Sequence, residues 1–361
     1  MGYSKLYPHG EIGRFKGDGQ QSFYYAVKDL RDAVNLAIAL GRPLLVRGEP
    51  GTGKTSLARA IAAELTEGRI YEWRIKSTDK VQDGLYVYDT VRRLMDAQIE
   101  GRDADKTQQQ KALNPYNYIS LTYLGKAIAA TDPVVLLIDE IDKADIDFPN
   151  DLLRELDEMW FDVKEVAVET SQFDLDSYAT EQQTMDEKAI LAAARTSPQR
   201  AEEYAVIHGG KKVRPIVIIT SNDEKPLPMA FLRRCIVHHI KFPDLNASDP
   251  LEAQKNREQV RKITHSSTKD RFDLEVERLK EDVIKRVIEI FAVVRKQSLF
   301  KQPATAELVE WVVALHHPAF EGEPQPTTHH GLLPYWELMF KDEADRKKII
   351  EVFAQNPETA E

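Results

Sequence analysis

The sequence predicts an α/β domain built on a parallel sheet, followed by an all-α domain. Short, wholly apolar runs alternate with helical patterns as far as residue 243, and only long, charged helical patterns follow. Strands that are buried on both faces, as in parallel sheets, have continuous apolar sequences. Strands alternating with helices favour the α/β class, and helices alone favour a separate helical domain.

Five apolar runs are expected to form the strands: 43–46, 70–75, 134–138, 215–220 and 236–242. Helices are expected where apolar residues recur every three or four positions. In the α/β part these are 27–40, 56–65, 89–99, 124–130, 151–160 and 186–204. In the helical part they are 251–264, 274–297, 306–315 and 342–354.

Three segments are expected along the chain: an N-terminal arm at 1–24, an α/β core at 25–245 and a helical domain at 246–361. The core contains one unusually long connection, because 83 residues separate Asp139 from Asn222. A strand–helix–strand crossover needs only about 30 residues. We therefore expect an insertion at about 164–210, either a hairpin that serves a pore or a partner, or a disordered loop.

The composition excludes several classes of protein. The 361 residues carry a net charge of −10 and 42% of them are hydrophobic, which is typical of a soluble globular protein. No apolar run is long enough to cross a bilayer, and the single Cys235 allows no intrachain disulfide, so a cytoplasmic location is expected. The acidic balance argues against binding to nucleic acid. Residues 151–210 contain 14 acidic and 5 basic residues, so this stretch is either a docking surface for a basic partner or a solvated loop.

A phosphate-binding motif lies between the first expected strand and the second expected helix. Residues 48–55 read Gly-Glu-Pro-Gly-Thr-Gly-Lys-Thr and fit G-x-x-x-x-G-K-[ST] at every fixed position. Glycines let backbone N–H groups turn inward around a phosphate, and the helix N-terminus adds partial positive charge. Lys54 is expected to reach the β- and γ-phosphates of a nucleotide, and the Thr55 hydroxyl to hold Mg²⁺.

Two further strands end in polar residues suited to hydrolysis. The run 134–138 delivers the carboxylates of Asp139 and Glu140, and alternation along a strand directs them differently. We expect Asp139 to hold Mg²⁺ and Glu140 to polarise a water molecule. The run 215–220 precedes Asn222, which would orient that water if the strands are neighbours.

These motifs together resemble those of an AAA+ ATPase, and more narrowly those of the MoxR family. The resemblance is carried by 45–55, by Leu-Ile-Asp-Glu-Ile-Asp-Lys-Ala at 137–144 and by Asn222 with Leu-Pro-Met-Ala-Phe-Leu-Arg-Arg at 227–234. It covers about residues 25–340. It implies a P-loop domain with a parallel five-stranded sheet and a C-terminal helical lid.

The resemblance also implies roles for individual residues. ATP is bound by the motif loop, Glu140 and Asn222 serve its hydrolysis, and an arginine finger acts on the ATP of a neighbouring subunit. Arg234 occupies the family's position for this finger, and Arg233 is the alternative. The implied nucleotide-binding set is Gly48, Glu49, Pro50, Gly51, Thr52, Gly53, Lys54, Thr55 and Ser56.

Members of the family form ATP-dependent rings, usually hexamers, that remodel a client protein, often one with a von Willebrand factor A domain. The sequence departs from the family pattern at three places. Cys235 stands where an aromatic residue is common, and Arg233 stands where an acidic residue is common. Lys-Gln-Pro-Ala at 301–304 replaces the usual Ser-Pro-Arg, which makes Lys301 the candidate for the sensor 2 cation.

Other candidate residues have two interpretations each. Tyr86 and Tyr88 lie where MoxR-like proteins carry a pore-facing insert, and they either touch a substrate chain or pack in the core. Histidine pairs at 238–239, 316–317 and 329–330 lack the accompanying motifs of a metal site. Cys235 is expected to fill the core rather than to act as a nucleophile.

Two other functions are compatible with the same motifs. A nucleic-acid motor or loader would show hydrolysis stimulated by DNA or RNA, but the sequence has no basic stripe. A nucleotide-gated regulatory scaffold would turn ATP over very slowly. The presence of both Glu140 and Asn222 favours hydrolysis.

Overall fold

The computed structural model describes residues 14–17, 24–99, 115–130, 132–167, 204–208, 214–272, 281–316 and 332–355. These residues form the expected α/β fold, followed by helices alone. The chain divides into two compact units, each made of separated stretches of sequence. The first unit comprises 1–15, 32–46 and 61–238, and the second comprises 16–31, 47–60 and 239–361. The expected boundary near residue 245 stays a prediction.

The five strands expected from the sequence form one sheet. The strands of the described residues are β1 Leu44–Gly48, β2 Ile70–Arg74, β3 Tyr86–Tyr88, β4 Ile119–Leu121, β5 Val135–Asp139, β6 Trp160–Ala167, β7 Tyr204–His208, β8 Ile216–Ser221 and β9 Ile236–Ile240. The sheet has the order β2-β5-β8-β1-β9, and β5 runs parallel to both of its neighbours. Every residue of β5 and β8 is buried, which explains their continuous apolar sequences.

Helices alternate with these strands along the chain and then continue alone. Those of the described residues are α1 Lys28–Leu40, α2 Lys54–Leu65, α3 Val81–Leu85, α4 Thr90–Ile99, α5 Tyr123–Ala129, α6 Phe148–Glu158, α7 Met229–Leu232, α8 Pro250–Phe272, α9 Glu281–Arg295, α10 Thr305–His316 and α11 Glu343–Gln355. Short 3₁₀ turns lie at 115–118, 141–143 and 336–339. Within the described ranges, no helix combines the length and the apolarity needed to cross a membrane.

Two details of the sequence prediction were wrong. The helix expected to reach Trp160 ends at Glu158, because Met159 adopts a left-handed backbone with φ 54° and Trp160 begins β6. Tyr204, expected at the end of a helix, lies in β7, and the rest of that expected helix lies outside the described residues. The antiparallel pair β3–β4 was not expected, because strands of three residues carry too little pattern.

The base of the expected insertion at 164–210 is a pair of antiparallel strands. β6 and β7 pair with Phe161 opposite Ile207 and Asp162 opposite Val206. Residues 168–203 and 209–213 lie outside the described residues. The strand pair brings the two ends of the long connection together, and the role of the connection stays a prediction.

Large aromatic side chains fill the core of the first unit. The Trp73 ring is stacked on Tyr123 at 6.2 Å and meets Phe148 edge-on at 5.5 Å. Tyr86 is 3% exposed and stacks on Phe161 at 5.9 Å, and its hydroxyl donates to Glu165 Oε2 at 2.7 Å. Tyr86 therefore packs in the core, which is one of the two interpretations that the sequence left open.

Cys235 belongs to the same core. Its side chain packs with the buried residues of the first unit, and burial raises the pKa of its thiol to about 12. A thiol with so high a pKa is a poor nucleophile. The expectation that Cys235 fills the core is confirmed.

The helices α8–α11 pack around a core of their own in the second unit. Trp311, Phe291 and Phe353 are fully buried there. The indole Nε1 of Trp311 donates to the Pro334 carbonyl at 2.7 Å, so its polar atom is satisfied. Burying each of these rings contributes about 2–3 kcal/mol relative to exposure.

A substitution at Gly125 tests how closely α5 packs against the backbone at Leu85. An added Cβ at this position would lie 1.9 Å from the Leu85 carbonyl oxygen. We expect Gly125→Ala to lower the free energy of unfolding by about 3 kcal/mol, because overpacking against backbone outweighs the better helix propensity of alanine. Urea unfolding measures the change.

Gly68→Ala is the matched control for this change. A Cβ at Gly68 would meet nothing within 4 Å, although its φ of +80° is strained for alanine. We expect a loss of about 1 kcal/mol from that strain alone. Equal losses in the two variants would rule out the contact with Leu85 as the cause.

Candidate functional site

The glycine-rich motif forms the loop between β1 and α2, which we call the phosphate loop (residues 48–54). Gly48, Gly51 and Gly53 have φ values of 150°, 81° and 86°, a range that L side chains rarely adopt. A Cβ on Gly48 would in addition lie 2.5 Å from the Ile240 carbonyl oxygen. The backbone path therefore requires glycine at these three positions.

The side chain of Lys54 folds back over the phosphate loop. Lys54 is 6% exposed, and its Nζ donates to the carbonyls of Gly48 at 2.8 Å and Glu49 at 2.9 Å. The Thr52 hydroxyl donates to the same Glu49 carbonyl at 2.8 Å. The ammonium thus lies against the backbone of the loop, where an anion would gain from its charge.

Two hydroxyl residues follow Lys54 at the start of α2. Thr55 and Ser56 are both partly exposed in the first turn of the helix. The backbone N–H of Leu57 donates to the Gly53 carbonyl at 3.0 Å, so regular helix geometry begins directly after the loop. The N-terminus of α2 therefore faces the loop with its partial positive charge.

A threonine at the end of β8 binds the Asp139 carboxylate and the Glu140 backbone at the end of β5. The Thr220 hydroxyl donates to Asp139 Oδ1 at 2.7 Å and accepts from the Glu140 N–H at 2.8 Å. Asp139 is 6% exposed, and Glu140 has a left-handed backbone with φ 61°. A left-handed residue costs about 1–2 kcal/mol, and the bond to Thr220 offsets part of that cost.

The side chain of Glu140 faces one amide and two cations. Asn222 Nδ2 donates to Glu140 Oε1 at 3.3 Å, and Lys143 Nζ donates to Oε2 at 2.6 Å. Arg74 Nε lies 3.8 Å from the same Oε2. Burial alone would raise the pKa of Glu140, but the bond to Lys143, the charges of Lys143 and Arg74 and the bond from Asn222 together hold that pKa below its usual range.

Asp142 fixes the turn that carries Asn222. Its carboxylate is 2% exposed, and Oδ2 accepts from the N–H groups of Asn222 at 3.0 Å and Glu224 at 2.9 Å. The Lys225 ammonium donates to the carbonyls of Lys143 and Ala144, which joins the turn to the segment after β5. The structure therefore brings Asp139, Glu140 and Asn222 together in one group, which we call the acidic cluster.

Four residues around the acidic cluster had no role assigned from the sequence. They are Arg74, Asp142, Lys143 and Thr220. Lys143 and Asp142 belong to the Asp-Glu-Ile-Asp-Lys-Ala stretch, so a signal for them was present in the motif. Thr220 and Arg74 carry no local signal, because their roles depend on which strands are neighbours.

The two candidate finger arginines follow α7 and differ in their contacts. Arg234 Nε lies 2.8 Å from Asp157 Oδ2, and both side chains are about half exposed. Arg42 donates to the backbone carbonyls of both Arg233 and Arg234, which fixes the chain at this point. Within the described part of the chain, the guanidinium of Arg233 has no ion pair and is exposed.

Lys301, the candidate sensor 2 cation, lies beside a carboxylate of α10. Its Nζ is 4.0 Å from Glu307 Oε1, and its side chain is about half exposed. Its backbone N–H donates to Asp345 Oδ2 at 3.3 Å. A role in nucleotide sensing for Lys301 stays a prediction.

Comparison with known proteins shows what part of this site is similar to. Residues 25–159, which include the phosphate loop with Asp139 and Glu140, match the family model described as an AAA ATPase domain. Over these residues the chain is similar to an AAA ATPase domain. Its α/β fold with a five-stranded parallel sheet is that of this class.

One curated relative and one solved structure are similar to this chain. Over 133 residues the chain is 31% identical to the mitochondrial Lon protease homolog of Scheffersomyces stipitis, a stretch that is 34% of this chain and 10% of that relative. The chain thus spans about a tenth of that protein's length. The solved structure is domain III of the replication initiation protein DnaA of Thermotoga maritima. The alignment covers 83% of this chain and 88% of that domain, with 14% sequence identity and a TM-score of 0.37.

Removal of Lys143 tests the electrostatics of the acidic cluster. The burial that raises the pKa of Glu140 remains in Lys143→Met, while the largest opposing contribution is lost. We therefore expect the pKa of Glu140 to rise in this variant. Carboxyl NMR titration measures it, with the Glu140→Gln variant assigning the resonance.

Lys347→Met serves as the control, because Lys347 pairs with Glu343 rather than with Glu140. It should leave the pKa of Glu140 unchanged. A Glu140 pKa that stays the same or falls in Lys143→Met would contradict the electrostatic account.

Proposed function

We propose that this protein is a Mg²⁺-dependent ATPase of the AAA+ class, resembling MoxR-like members, that couples hydrolysis to the remodelling of a client protein. The contact between Asn222 Nδ2 and Glu140 Oε1 at 3.3 Å carries the proposal. This contact brings together a carboxylate that follows β5 and an amide that follows β8. A water molecule can then be held by the amide while the carboxylate accepts its proton. The match of residues 25–159 to an AAA ATPase domain supports it.

The phosphate loop is the part of the site proposed to bind the phosphates of ATP. The inward-turning backbone at the three glycines and the N-terminus of α2 favour phosphate oxygens. Lys54 would exchange its bonds to the carbonyls of Gly48 and Glu49 for bonds to phosphate. That exchange replaces neutral acceptors by charged ones, so it strengthens binding.

The residues proposed to hold Mg²⁺ have suitable donor atoms. Mg²⁺ prefers carboxylate and hydroxyl oxygens, and the proposal assigns it Asp139 and Thr55. The bond from Thr220 occupies one direction at Asp139 Oδ1 and keeps that carboxylate oriented. When bound, the ion neutralises charge on the β- and γ-phosphates.

Glu140 acts in the proposal as the base that takes a proton from the attacking water. Because its pKa is held below the usual range, its carboxylate is ionised at neutral pH and ready to accept. We therefore expect activity that depends on ionised Glu140 to be present at neutral pH. It should be lost as the pH falls through the lowered pKa of Glu140.

Two substitutions separate binding from hydrolysis. We expect Lys54→Ala to abolish nucleotide binding, because the charge facing the phosphates is lost. Glu140→Gln should bind ATP with near-normal affinity and lower kcat by roughly 10²-fold or more, since only the base is removed. Fluorescent ATP binding and phosphate release measure the two effects.

Glu158→Gln, at an exposed carboxylate that pairs only loosely with Arg154 at 3.8 Å, is the control and should hydrolyse normally. Turnover retained at the wild-type rate in Glu140→Gln would exclude the proposed base.

We propose that the ATPase assembles as a ring, with six subunits, in which Arg234 reaches the ATP of a neighbour. Its pair with Asp157 is half exposed, so it contributes less than about 1 kcal/mol, and a phosphate can displace Asp157. Arg42 holds the backbone at Arg233 and Arg234 independently of that pair. The family position favours Arg234, and Arg233 is the alternative.

Mixing of variants tests the finger in trans. Arg234→Ala alone should lower kcat by roughly 10³-fold, because the transition-state charge loses its stabilising guanidinium. Addition of Lys54→Ala subunits, which keep Arg234 but bind no ATP, should restore part of the activity. Arg233→Ala is the matched comparison and should stay near wild type.

Activity that is lost in Arg233→Ala and kept in Arg234→Ala would transfer the role to Arg233. Failure of the mixture to recover any activity would exclude action in trans.

The client is proposed by its chemistry. The acidic stretch 151–210, with 14 acidic and 5 basic residues, suits a basic partner surface. A von Willebrand factor A domain protein is the proposed client class on the MoxR resemblance, and a cytoplasmic location fits the single, buried cysteine.

A further inference from the structure

The last residue of α9 contacts three parts of the second unit. The Arg295 side chain is 15% exposed, and its Nη2 lies 3.4 Å from Glu49 Oε2 of the phosphate loop. Its Nη1 donates to the Pro303 carbonyl, just before α10. Its guanidinium lies over the Phe242 ring, 4.0 Å from the ring centre. One side chain thus touches the phosphate loop, the segment after β9 and the start of α10.

The same face of the phosphate loop packs against the first turn of α10. A Cβ on Gly51 would lie 3.2 Å from the Cβ of Ala306 and 3.3 Å from that of Ala304. The Ala304 N–H donates to Glu307 Oε2 at 3.0 Å, which caps the helix. The loop and the helix start are therefore in close contact, and Arg295 lies beside both.

We propose that Arg295 is a positioning residue that fastens the phosphate loop to α9 and α10 through Glu49. The inference rests on the proposed function. It adds that Arg295 keeps the phosphate loop in the conformation that binds nucleotide. Arg295 also neutralises Glu49, the one carboxylate of the binding motif. Without that neutralisation, the carboxylate of Glu49 repels the phosphates of ATP.

Arginine suits this position better than lysine. The planar guanidinium can donate to Glu49 and to the Pro303 carbonyl at once and still stack on Phe242. A lysine ammonium keeps the positive charge, but it lacks the paired N–H donors and the planar surface of a guanidinium. Arg295→Lys therefore separates a fastening role from a role of charge alone.

Nucleotide affinity tests the proposal. We expect Arg295→Gln and Arg295→Lys each to weaken binding of a fluorescent ATP analogue by about threefold to tenfold, the range for loss of a partly exposed charged bond. In the Glu49→Gln background, Arg295→Gln should change the affinity by less than about twofold, because its partner is already absent.

Arg286→Gln, on the same helix and paired with Glu289 at 3.5 Å, is the matched control and should bind the analogue like the wild type. Hydrogen exchange without nucleotide supplies a second readout. The amides of residues 49 and 51–54 should exchange faster in Arg295→Gln and not in Arg286→Gln.

The outcomes separate this inference from the proposed function. A wild type that binds no ATP analogue overturns the proposed function, and the exchange rates then decide on Arg295 alone. A wild type that binds while Arg295→Gln binds equally well overturns the fastening role. Full rescue by Arg295→Lys, or an equal loss in both Glu49 backgrounds, also overturns it.

Discussion

A single hydroxyl organises the acidic cluster. The Thr220 side chain donates to one carboxylate and accepts from the N–H of the next residue, so it orients Asp139 and supports the left-handed backbone of Glu140. Asn222 lies two residues after Thr220, where Asp142 fixes the turn and the Asn222 amide donates to the Glu140 carboxylate. Removal of this hydroxyl would leave a buried carboxylate short of a donor, which costs more than the bond itself contributes.

The electrostatics around Glu140 involve a compromise between charge and basicity. Lys143 and Arg74 keep the carboxylate ionised despite its partial burial. The same cations lower its pKa, and a carboxylate of lower pKa is a weaker proton acceptor. Since both cations are more exposed than Glu140, the balance depends on ionic strength at the mouth of the cluster.

The parts of the fold and site that follow from local pattern could be predicted from the sequence. The five apolar runs became the five strands, and the fixed residues of the loop motif took the backbone geometry that glycine alone accepts easily. Asn222 was assigned a role beside Glu140 only on the condition that their strands are neighbours, and the two strands do pair.

Contacts between distant segments were not predictable in the same way. The bonds from Thr220, the pair of Arg234 with Asp157 and the contact of Arg295 with Glu49 each join residues far apart in sequence. The local sequence around these residues does not indicate which distant residue each of them contacts. They became visible only through strand order and helix packing, which single-sequence periodicity does not report.

The buried thiol of Cys235 determines how this chain responds to chemical labelling. With a pKa near 12, on the order of one thiol in 10⁵ is ionised at neutral pH. Maleimide probes will therefore react with an introduced surface cysteine long before they reach Cys235. The rate at which Cys235 itself reacts will report how often the segment between α7 and β9 opens. The native cysteine is therefore an internal probe of local unfolding.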